Sequence, residues 1–328
     1  MKPKVYITRR IPEDILSLIE ESCEVKVWPE TEIPVPRNVL ENEIKTVEGI
    51  FCLLTESIDE KLLAQADKLK VVSNMAVGYN NIDVEAATRR GIMVTNTPGV
   101  LTETTADLTF ALLMMTARRL EESSQFLRRG DWKTWSPMLL TGQDIHGSTL
   151  GIVGLGRIGE ALARRAKGFN MKVIYHNRSR KLDAETSLGI EYCATLESLL
   201  KEADFVSILT PYTPETHHLI GEAELNSMKP TAILINTARG EIVDETALYN
   251  ALSTQKIWAA GLDVFSTEPL PSDHPLLSLP NLVALPHIGS ATIKTRRHMA
   301  LLAAQNLIAA VTGQLPTHIV NSHVILST

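Results

Sequence analysis

Three short segments carry an arginine, a glutamate and a histidine that together could bind an organic acid and move a proton. They are Asn236-Thr237-Ala238-Arg239-Gly240, Asp263 to Glu268-Pro269, and Pro286-His287-Ile288-Gly289-Ser290, and each follows an apolar run typical of a β-strand. In open α/β sheets the ligand crevice lies at the carboxyl ends of the strands. We therefore expect these three segments to converge on one site.

The three side chains suit the reduction of a 2-keto acid, which needs a hydride, a proton and an anchor for the carboxylate. Arg239 is a permanent cation whose planar fork fits a carboxylate, and it can polarise the carbonyl as negative charge grows on oxygen. His287 titrates nearest neutral pH and is the candidate proton donor. Glu268 is expected to hydrogen-bond the other ring nitrogen, which favours imidazolium and orients the ring. The alternatives are a surface ion pair for Arg239, a turn charge for Glu268 and a packing role for His287.

A glycine-rich turn is the strongest single motif. Gly154-Leu155-Gly156-Arg157-Ile158-Gly159 lies between an apolar strand at 150–153 and a helical pattern at about 157–169. In this context the three glycines allow a tight turn, a close approach of the backbone to a pyrophosphate, and close helix–sheet contact. The helix N-terminus then presents unpaired N–H groups to the anion. These residues predict a dinucleotide site, the alternative being a turn without a ligand.

The end of the next strand distinguishes the two nicotinamide cofactors. NAD sites usually place Asp or Glu there, roughly 20 residues into the motif, to bind the ribose hydroxyls. Here the strand runs into His176-Asn177-Arg178-Ser179-Arg180-Lys181, which contains no carboxylate. Arg178 and Arg180 could bind a 2′-phosphate, with Ser179 as a hydroxyl donor. We therefore expect NADP(H) rather than NAD(H), the alternative being a solvated basic turn.

The elements that must position these residues form two α/β units, with a doubly wound parallel sheet in each. Short apolar runs alternate with amphipathic segments, which is typical of parallel sheets covered by helices. The predicted strands of both units are 5–8, 24–28, 49–54, 71–74 and 92–95, then 150–153, 172–176, 205–209, 232–235, 259–262 and 283–284. Long helices are predicted over about 102–122 and 291–312. Pro and Gly at 97–99 and 286–289 mark the expected joints.

Composition excludes several classes of function. The chain has 328 residues, and its net charge of −6, with both signs mixed, gives no general field for nucleic acid or an anionic membrane. Cys23, Cys52 and Cys193 are scattered, which argues against a disulfide framework and a zinc site. The start shows no signal-peptide pattern, and the longest apolar run, 108–117, is too short to span a bilayer. We expect a cytoplasmic protein with no metal, membrane or nucleic-acid partner.

The sequence resembles the D-2-hydroxyacid dehydrogenase family along essentially its whole length. The segments that carry the resemblance, besides the glycine turn, are Thr237-Ala238-Arg239-Gly240, Gly261-Leu262-Asp263-Val264-Phe265, Glu268-Pro269, 286–292, 76–83 and 103–107. Within the family the chain is most similar to NADPH-dependent glyoxylate/hydroxypyruvate reductases, through 177–180 and Trp132-Lys133-Thr134-Trp135. The 2-ketogluconate reductases share nearly the same pattern, so that substrate stays open.

The resemblance implies a Rossmann dinucleotide-binding domain, residues 99–287, inserted in a flavodoxin-like substrate domain, residues 1–98 and 288–328. It implies the reduction of small 2-keto acids to D-2-hydroxy acids, with Arg239, Glu268 and His287 as catalytic residues. It also implies a homodimer, embraced by an arm at 120–145. Cofactor contacts beyond the glycine turn and 177–180 are expected at Thr105, Thr210, Pro211, Thr216, Thr237, Ala238, Asp263, His287 and Gly289. Substrate contacts are expected at Leu53, Val77, Gly78, Trp135, Arg239 and His287, with backbone N–H groups acting at Val77 and Gly78.

Other readings of the same residues remain open. A non-catalytic NAD(P)-sensing corepressor of this fold would also carry the arginine, glutamate and histidine. Trp132 and Trp135 could simply pack a dimer interface, and Asp263 could only shape the site. The pair His217-His218 is a further candidate for substrate contact, with a surface role as the alternative. Three relatives are disfavoured, since phosphoglycerate dehydrogenases prefer an acid at 177, formate dehydrogenases carry Gln at 268 and phosphite dehydrogenases carry Lys within 76–78.

Overall fold

The apolar runs form two parallel β-sheets in the computed structural model, which describes residues 1–327. The chain divides into two units, one made of residues 1–101 with the segment from Thr292 onward, and one of residues 102–291. Each unit holds one sheet with helices packed on it. The predicted fold class, two doubly wound parallel-sheet domains, is confirmed.

The first unit has five strands in the order β2-β1-β3-β4-β5. These strands are β1 (Lys4–Ile7), β2 (Glu24–Val27), β3 (Gly49–Cys52), β4 (Val71–Asn74) and β5 (Met93–Thr95). The helices between them are α1 (Glu13–Ser22), α2 (Arg37–Glu43), α3 (Glu60–Leu63) and α4 (Val84–Arg89). Every residue of β3 and β4 is buried, because helices cover both faces of the sheet. The strand order reverses at β1, so the crevice of this sheet lies at the carboxyl ends of β1 and β3.

The second unit has seven strands in the order β12-β11-β10-β9-β6-β7-β8. These strands are β6 (Thr149–Val153), β7 (Lys172–His176), β8 (Glu191–Tyr192), β9 (Phe205–Ile208), β10 (Ile233–Asn236), β11 (Ala259–Leu262) and β12 (Leu282–Ala284). Its helices are α5 (Thr102–Ala117), α6 (Leu120–Arg128), α7 (Arg157–Lys167), α8 (Leu182–Leu188), α9 (Leu196–Glu202), α10 (Glu222–Ser227) and α11 (Glu245–Ser253). The order reverses between β6 and β9, which places the crevice of this sheet at their carboxyl ends.

The last helix, α12 (Ile293–Val311), returns to the first unit and packs on β3 and β4. Small residues allow the approach, since a Cβ on Gly49 would lie only 2.7 Å from Cδ1 of Leu307. Ser73 of β4 donates its hydroxyl to the carbonyl of Ala303 at 2.7 Å. Although α12 is 19 residues long, neither it nor any other described helix combines the length and apolarity needed to cross a membrane.

One local prediction from the sequence is wrong, and one short strand has no counterpart among the predictions. The single helix predicted over about 102–122 is broken, because Arg119 adopts the left-handed conformation with φ of 51°, between α5 and α6. The guanidinium of Arg119 donates two hydrogen bonds of 2.8 Å to the carboxylate of Glu122, which stabilises the start of α6. Strand β8 was not predicted, because a two-residue strand carries no periodic pattern.

Candidate active site

The loops that follow β11 and β12 bring Glu268 and His287 into contact. Nδ1 of His287 lies 2.7 Å from Oε2 of Glu268, and Oε1 of the same carboxylate accepts the backbone N–H of Phe265 at 3.0 Å. Burial raises the pKa of Glu268, but the hydrogen bond and charge of His287, the N–H of Phe265 and the charge of Arg239 together lower it below its ordinary value. An ionised Glu268 accepts a hydrogen bond from Nδ1–H of the ring, which leaves Nε2 as the atom that can serve a substrate.

The backbone of His287 is held in a conformation that residues other than glycine rarely adopt. Its φ is 53°, in the left-handed region. Asp263 fixes this turn, since its carbonyl accepts the N–H of His287 at 2.9 Å and its Oδ1 accepts the N–H of Ile288 at 2.8 Å. Such a conformation costs about 1–3 kcal/mol and persists only where its surroundings impose it. Asp263 is therefore the residue that aims the imidazole.

The second oxygen of Asp263 is buried without a partner. Oδ2 makes no hydrogen bond of normal geometry with any residue that the structure describes. Burial raises the pKa of this carboxyl group above its ordinary value, although the backbone N–H groups of Ile288 and Gly289 act in the opposite direction. A Cβ on Gly289 would lie 3.3 Å from Oδ2 and 3.5 Å from Cγ2 of Thr105, so the space beside this oxygen is narrow. Buried polar atoms in native proteins are nearly always hydrogen-bonded. This oxygen therefore suits a bound group that offers an N–H.

Arg239 lies in the loop after β10, and a buried asparagine shapes that loop. Asn236 donates from Nδ2 to the carbonyl of Arg239 at 2.8 Å, and its Oδ1 accepts the N–H of Ala238 at 3.0 Å. Burial lowers the pKa of the Arg239 guanidinium, while the negative charges of Glu268 and Glu241 act in the opposite direction. A guanidinium stays charged in a protein, so this half-buried cation is suited to binding an anion.

The loops that carry Arg239 and Glu268 are pressed against each other. A Cβ on Gly240 would lie 1.8 Å from the carbonyl carbon of Phe265 and 2.2 Å from the nitrogen of Ser266. Any side chain at position 240 would therefore force the two loops apart. Glycine here keeps the guanidinium and the Glu268–His287 pair within one cluster of loops in the second unit.

The glycine turn after β6 has the form expected for an anion site. Gly154 has φ of +99°, and a Cβ there would lie 2.5 Å from the nitrogen of Thr210. A Cβ on Gly159 would lie 2.9 Å from the carbonyl oxygen of Gly154, whereas one on Gly156 would meet nothing within 4 Å in the described chain. No described side chain caps the start of α7. The first N–H groups of this helix, beside the open position at Gly156, are thus available to a pyrophosphate.

The loop after β7 gives its polar residues different tasks. Asn177 braces the glycine turn, since its Oδ1 accepts the N–H of Leu155 at 2.6 Å and its Nδ2 donates to the carbonyl of Leu155 at 3.2 Å. Arg180 donates from Nε and Nη2 to both oxygens of Glu185 at 2.7 to 3.1 Å. Arg178 is exposed and forms no hydrogen bond or close ion pair with residues 1–327, although its charge adds to the Thr213 hydrogen bond in lowering the pKa of Glu215. Arg178 is therefore the guanidinium of this loop that stands ready for a ligand.

The candidate substrate residues of the first unit lie in the loops after β3 and β4. Leu53 follows β3 directly, and Val77 and Gly78 follow β4. The carbonyl of Val77 accepts Nδ2 of Asn96 at 2.8 Å, and that of Gly78 accepts Nδ2 of Asn74 at 3.0 Å. The N–H groups of Val77 and Gly78 donate to no described residue. This loop is anchored by its carbonyl oxygens and leaves two backbone donors for an anion.

The remaining predicted residues fall into local structural roles or on the surface. The hydroxyl of Thr237 is hydrogen-bonded to that of Thr109 at 2.7 Å, and the hydroxyl of Thr216 donates to the carbonyl of Pro211 at 2.9 Å. The rings of His217 and His218 are stacked with centroids 4.0 Å apart on an exposed turn. Nδ1 of His218 lies 3.9 Å from Oδ2 of Asp244. Both side chains are exposed, as the surface alternative expects.

Comparison with known proteins identifies strong similarities over the whole chain. The family model described as D-isomer specific 2-hydroxyacid dehydrogenase, NAD binding domain, matches residues 110–289. The chain is 53% identical to a glyoxylate reductase of Korarchaeum cryptofilum, over 99% of this chain and 98% of that protein. It is 52% identical to a glyoxylate reductase of Thermococcus litoralis, over 100% of this chain and 99% of that protein.

Solved structures show the same similarity. A protein of Thermus thermophilus superposes with a TM-score of 0.90 at 46% identity, covering 97% of this chain and 99% of its own. An NADPH-dependent glyoxylate/hydroxypyruvate reductase of Sinorhizobium meliloti, solved with NADP and malonate, superposes with a TM-score of 0.84 at 34% identity. That match covers 98% of this chain and 97% of the other.

Proposed function

The chain belongs to the D-isomer-specific 2-hydroxyacid dehydrogenase family, and we propose that it is an NADPH-dependent reductase of small 2-keto acids such as glyoxylate and hydroxypyruvate. The observation that carries this proposal is the 2.7 Å contact between His287 and Glu268, beside the loop of the half-buried Arg239. A proton donor and an anion-binding cation in one loop cluster are what the reduction of a keto acid requires. Relatives named glyoxylate reductase support the substrate class.

The proposed mechanism assigns one task to each polar group. The nicotinamide cofactor, when bound, supplies the hydride that C2 of the substrate receives. Arg239 binds the substrate carboxylate and polarises the carbonyl, and the free N–H groups of Val77 and Gly78 act as further donors to the carboxylate. His287 gives its Nε2 proton to the carbonyl oxygen as the C2 centre becomes an alcohol. Glu268 holds the ring in place and stabilises the imidazolium before transfer.

The second unit has the features that a dinucleotide needs, and we assign cofactor binding to residues 99–287. The open position at Gly156 and the start of α7 would hold the pyrophosphate, and Arg178 would hold the 2′-phosphate. The unpartnered Oδ2 of Asp263 would accept from the carboxamide of the nicotinamide. Further contacts are proposed at Thr105, Leu155, Arg157, Ile158, Asn177, Ser179, Arg180, Thr210, Pro211, Thr216, Thr237, Ala238 and Gly289. The Sinorhizobium meliloti relative, solved with NADP, supports the choice of NADP(H).

Substrate selection is assigned to residues 1–98 and 288–328, and assembly to the arm at 120–145. Leu127, Trp132, Trp135 and Met138 are 60%, 55%, 75% and 76% exposed, and apolar groups of this size in one segment suggest a surface covered by a partner. We propose that a second copy of the chain covers them in a homodimer. The three cysteines are buried and form no disulfide, which suits a reducing compartment, and we place the reaction in the cytoplasm.

One panel of assays tests the proposal. The values of kcat/KM for glyoxylate, hydroxypyruvate and 2-ketogluconate would be compared with NADPH and with NADH. We expect the highest values for the two small acids with NADPH. A preference for 2-ketogluconate would reassign the substrate, and equal use of NADH would reject the cofactor. Binding of NADPH without reduction of any keto acid would instead favour a non-catalytic sensor of the cofactor.

A further inference from the structure

We propose that Asn81 is a substrate-positioning residue that fixes the spacing between Leu53 and Gly78, and thereby selects the size of the 2-keto acid. The inference rests on the proposed function, which places substrate against Leu53 and against the backbone N–H of Gly78. Asn81 itself touches no reacting atom in this proposal, and it acts through the backbone of these two loops.

Asn81 joins the loop after β3 to the loop after β4. Its Nδ2 donates to the carbonyl oxygens of Leu53 and Glu56, at 3.0 Å each, and its Oδ1 accepts from Nδ2 of Asn74 at 3.3 Å. The same Nδ2 of the fully buried Asn74 donates to the carbonyl of Gly78 at 3.0 Å. An unbroken chain of hydrogen bonds therefore runs from Leu53 through two side-chain amides to Gly78.

The backbone N–H of Leu53 is held by a buried carboxylate. Oε2 of Glu56 accepts the N–H of Leu53 at 2.8 Å and the hydroxyl of Thr8 at 2.6 Å, and Thr8 directly follows β1. Nη2 of the buried Arg9 lies 3.4 Å from Oε1 of Glu56 and compensates its charge. Leu53 is thus clamped at the crevice where the strand order of the first sheet reverses, by Glu56 on its N–H and by Asn81 on its carbonyl.

This clamp has a consequence for the choice of substrate. If the carboxylate binds at Gly78 and Leu53 forms a wall, the distance between them limits the group that C2 can bear. Glyoxylate carries only hydrogen at that position, whereas other 2-keto acids carry a carbon side chain. Replacing Asn81 with Asp keeps the size and the acceptor for Asn74, but it removes both donors and turns a carboxylate toward two carbonyl oxygens. The loop at Leu53 should then move away.

The variant Asn81→Asp has a matched control in the second unit. Nδ2 of Asn281 also donates to two backbone carbonyls, those of Leu252 and Trp258, at 3.1 Å each. We expect Asn81→Asp to raise the KM for glyoxylate about tenfold, as for the loss of buried hydrogen bonds. The ratio of kcat/KM for glyoxylate to that for 2-ketobutyrate should fall about tenfold, because the wall at Leu53 moves away and admits the larger acid. The Kd for NADPH, measured by fluorescence titration, should stay within about twofold of wild type in both variants.

The outcomes separate this inference from the proposed function. An unchanged KM and an unchanged substrate ratio in folded Asn81→Asp would overturn the inference, and so would an equal change in Asn281→Asp. If Asn81→Asp fails to fold, Asn81→Ser, which retains one hydroxyl donor, decides the matter by the same two measurements. Wild-type protein that reduces no keto acid would overturn the proposed function itself, and this is measured first.

Discussion

Nδ1 of His287 lies 2.7 Å from Oε2 of Glu268, although His287 has a left-handed backbone with φ of 53°. The turn that produces this contact is fixed by Asp263, which accepts the N–H groups of both His287 and Ile288. This disfavoured conformation, at the residue that we propose as the proton donor, lowers stability and persists only because its surroundings impose it. The roles proposed for this pair lead to direct tests.

Glu268→Gln should narrow the pH range of catalysis. Glutamine keeps a hydrogen-bonding group beside the ring but removes the negative charge that favours imidazolium. The basic limb of the kcat/KM profile should move to lower pH by about one unit. Glu222→Gln, which changes an exposed glutamate of α10, serves as the control. A pH profile in which the Glu268 variant and wild type coincide would remove Glu268 from the mechanism.

The same variant should alter stability with a defined sign. The pKa of Glu268 in the folded protein lies below its ordinary value, mainly through His287 once the opposing effect of burial is overcome. Its ionised form therefore adds stability above the ordinary pKa, and this stability is lost as the pH falls through the lowered pKa. The difference in Tm between wild type and Glu268→Gln should be largest near neutral pH and disappear in acid. A difference that grows as the pH falls would contradict this assignment.

Arg239 should affect substrate binding and turnover together. Arg239→Ala removes a half-buried cation that we assign to the carboxylate and to carbonyl polarisation, so the KM for glyoxylate should rise about 100-fold and kcat should fall as well. Arg239→Lys keeps the charge but loses the planar fork, and its effect should be intermediate. The Kd for NADPH should change little in either variant. A variant with altered cofactor binding but an unchanged KM for the keto acid would place Arg239 elsewhere.

Much of this fold could be predicted from the sequence because strands buried on both faces are continuous apolar runs. Strands β4 and β7 begin and end at the predicted residues. The convergence of the Arg239, Glu268 and His287 loops was expected because the ends of parallel strands share one edge of a sheet. The left-handed residue Arg119 could not be foreseen, since nothing local marks an arginine for that conformation.

The candidate site also contains side-chain contacts that no sequence motif predicts. Glu185 pairs with Arg180 across five positions, because α8 begins only at Leu182 and turns the carboxylate back toward the loop. Asn81 contacts Leu53 across 28 positions in the chain. Only the packed tertiary structure creates such contacts, whereas spacing rules describe neighbours within one helix or one turn.

The two arginines after β7 should contribute unequally to cofactor choice. Arg178 is exposed and unpaired within the described chain, whereas Arg180 is engaged with Glu185 on two nitrogens. Arg178→Ala should raise the KM for NADPH about tenfold and leave the KM for NADH unchanged, because only NADPH carries the 2′-phosphate. Arg180→Ala should have a smaller effect on the same ratio. A larger rise in the KM for NADPH in Arg180→Ala than in Arg178→Ala would show that the Arg180–Glu185 ion pair opens to bind the 2′-phosphate.

Asp263→Asn should weaken cofactor binding without lowering the stability of the protein. Burial raises the pKa of Asp263 in the folded protein. The folded protein therefore loses stability as the pH rises from the ordinary pKa of the carboxyl group through the raised one. Asparagine avoids that loss and can still accept the N–H of Ile288, so Tm near neutral pH should equal or exceed that of wild type. The Kd for NADPH should rise about tenfold, because an N–H replaces the free oxygen. A lower Tm at neutral pH would contradict the burial argument.

The arm at 120–145 should control assembly. We expect wild-type protein to sediment as a dimer at micromolar concentration. The double variant Leu127→Glu, Met138→Glu should sediment as a monomer, because it places charges on two exposed apolar residues of the arm. Leu315→Glu changes another leucine, 66% exposed, in the first unit, and it should leave the dimer intact. Wild-type protein that is monomeric at this concentration would reject the interface.

The variant Trp135→Ala distinguishes two possible roles of the arm, in dimer packing and in substrate contact. If its indole only packs against the partner, Trp135→Ala should weaken the dimer in dilution experiments and leave the KM for glyoxylate unchanged at concentrations where the dimer persists. If it contacts substrate in the partner's site, the KM should rise about tenfold while the dimer stays intact, since a buried aromatic contact contributes a few kcal/mol at most. Trp132→Ala, which removes a neighbouring exposed indole, is the matched control. Equal effects of the two variants on KM would exclude a specific substrate contact at Trp135.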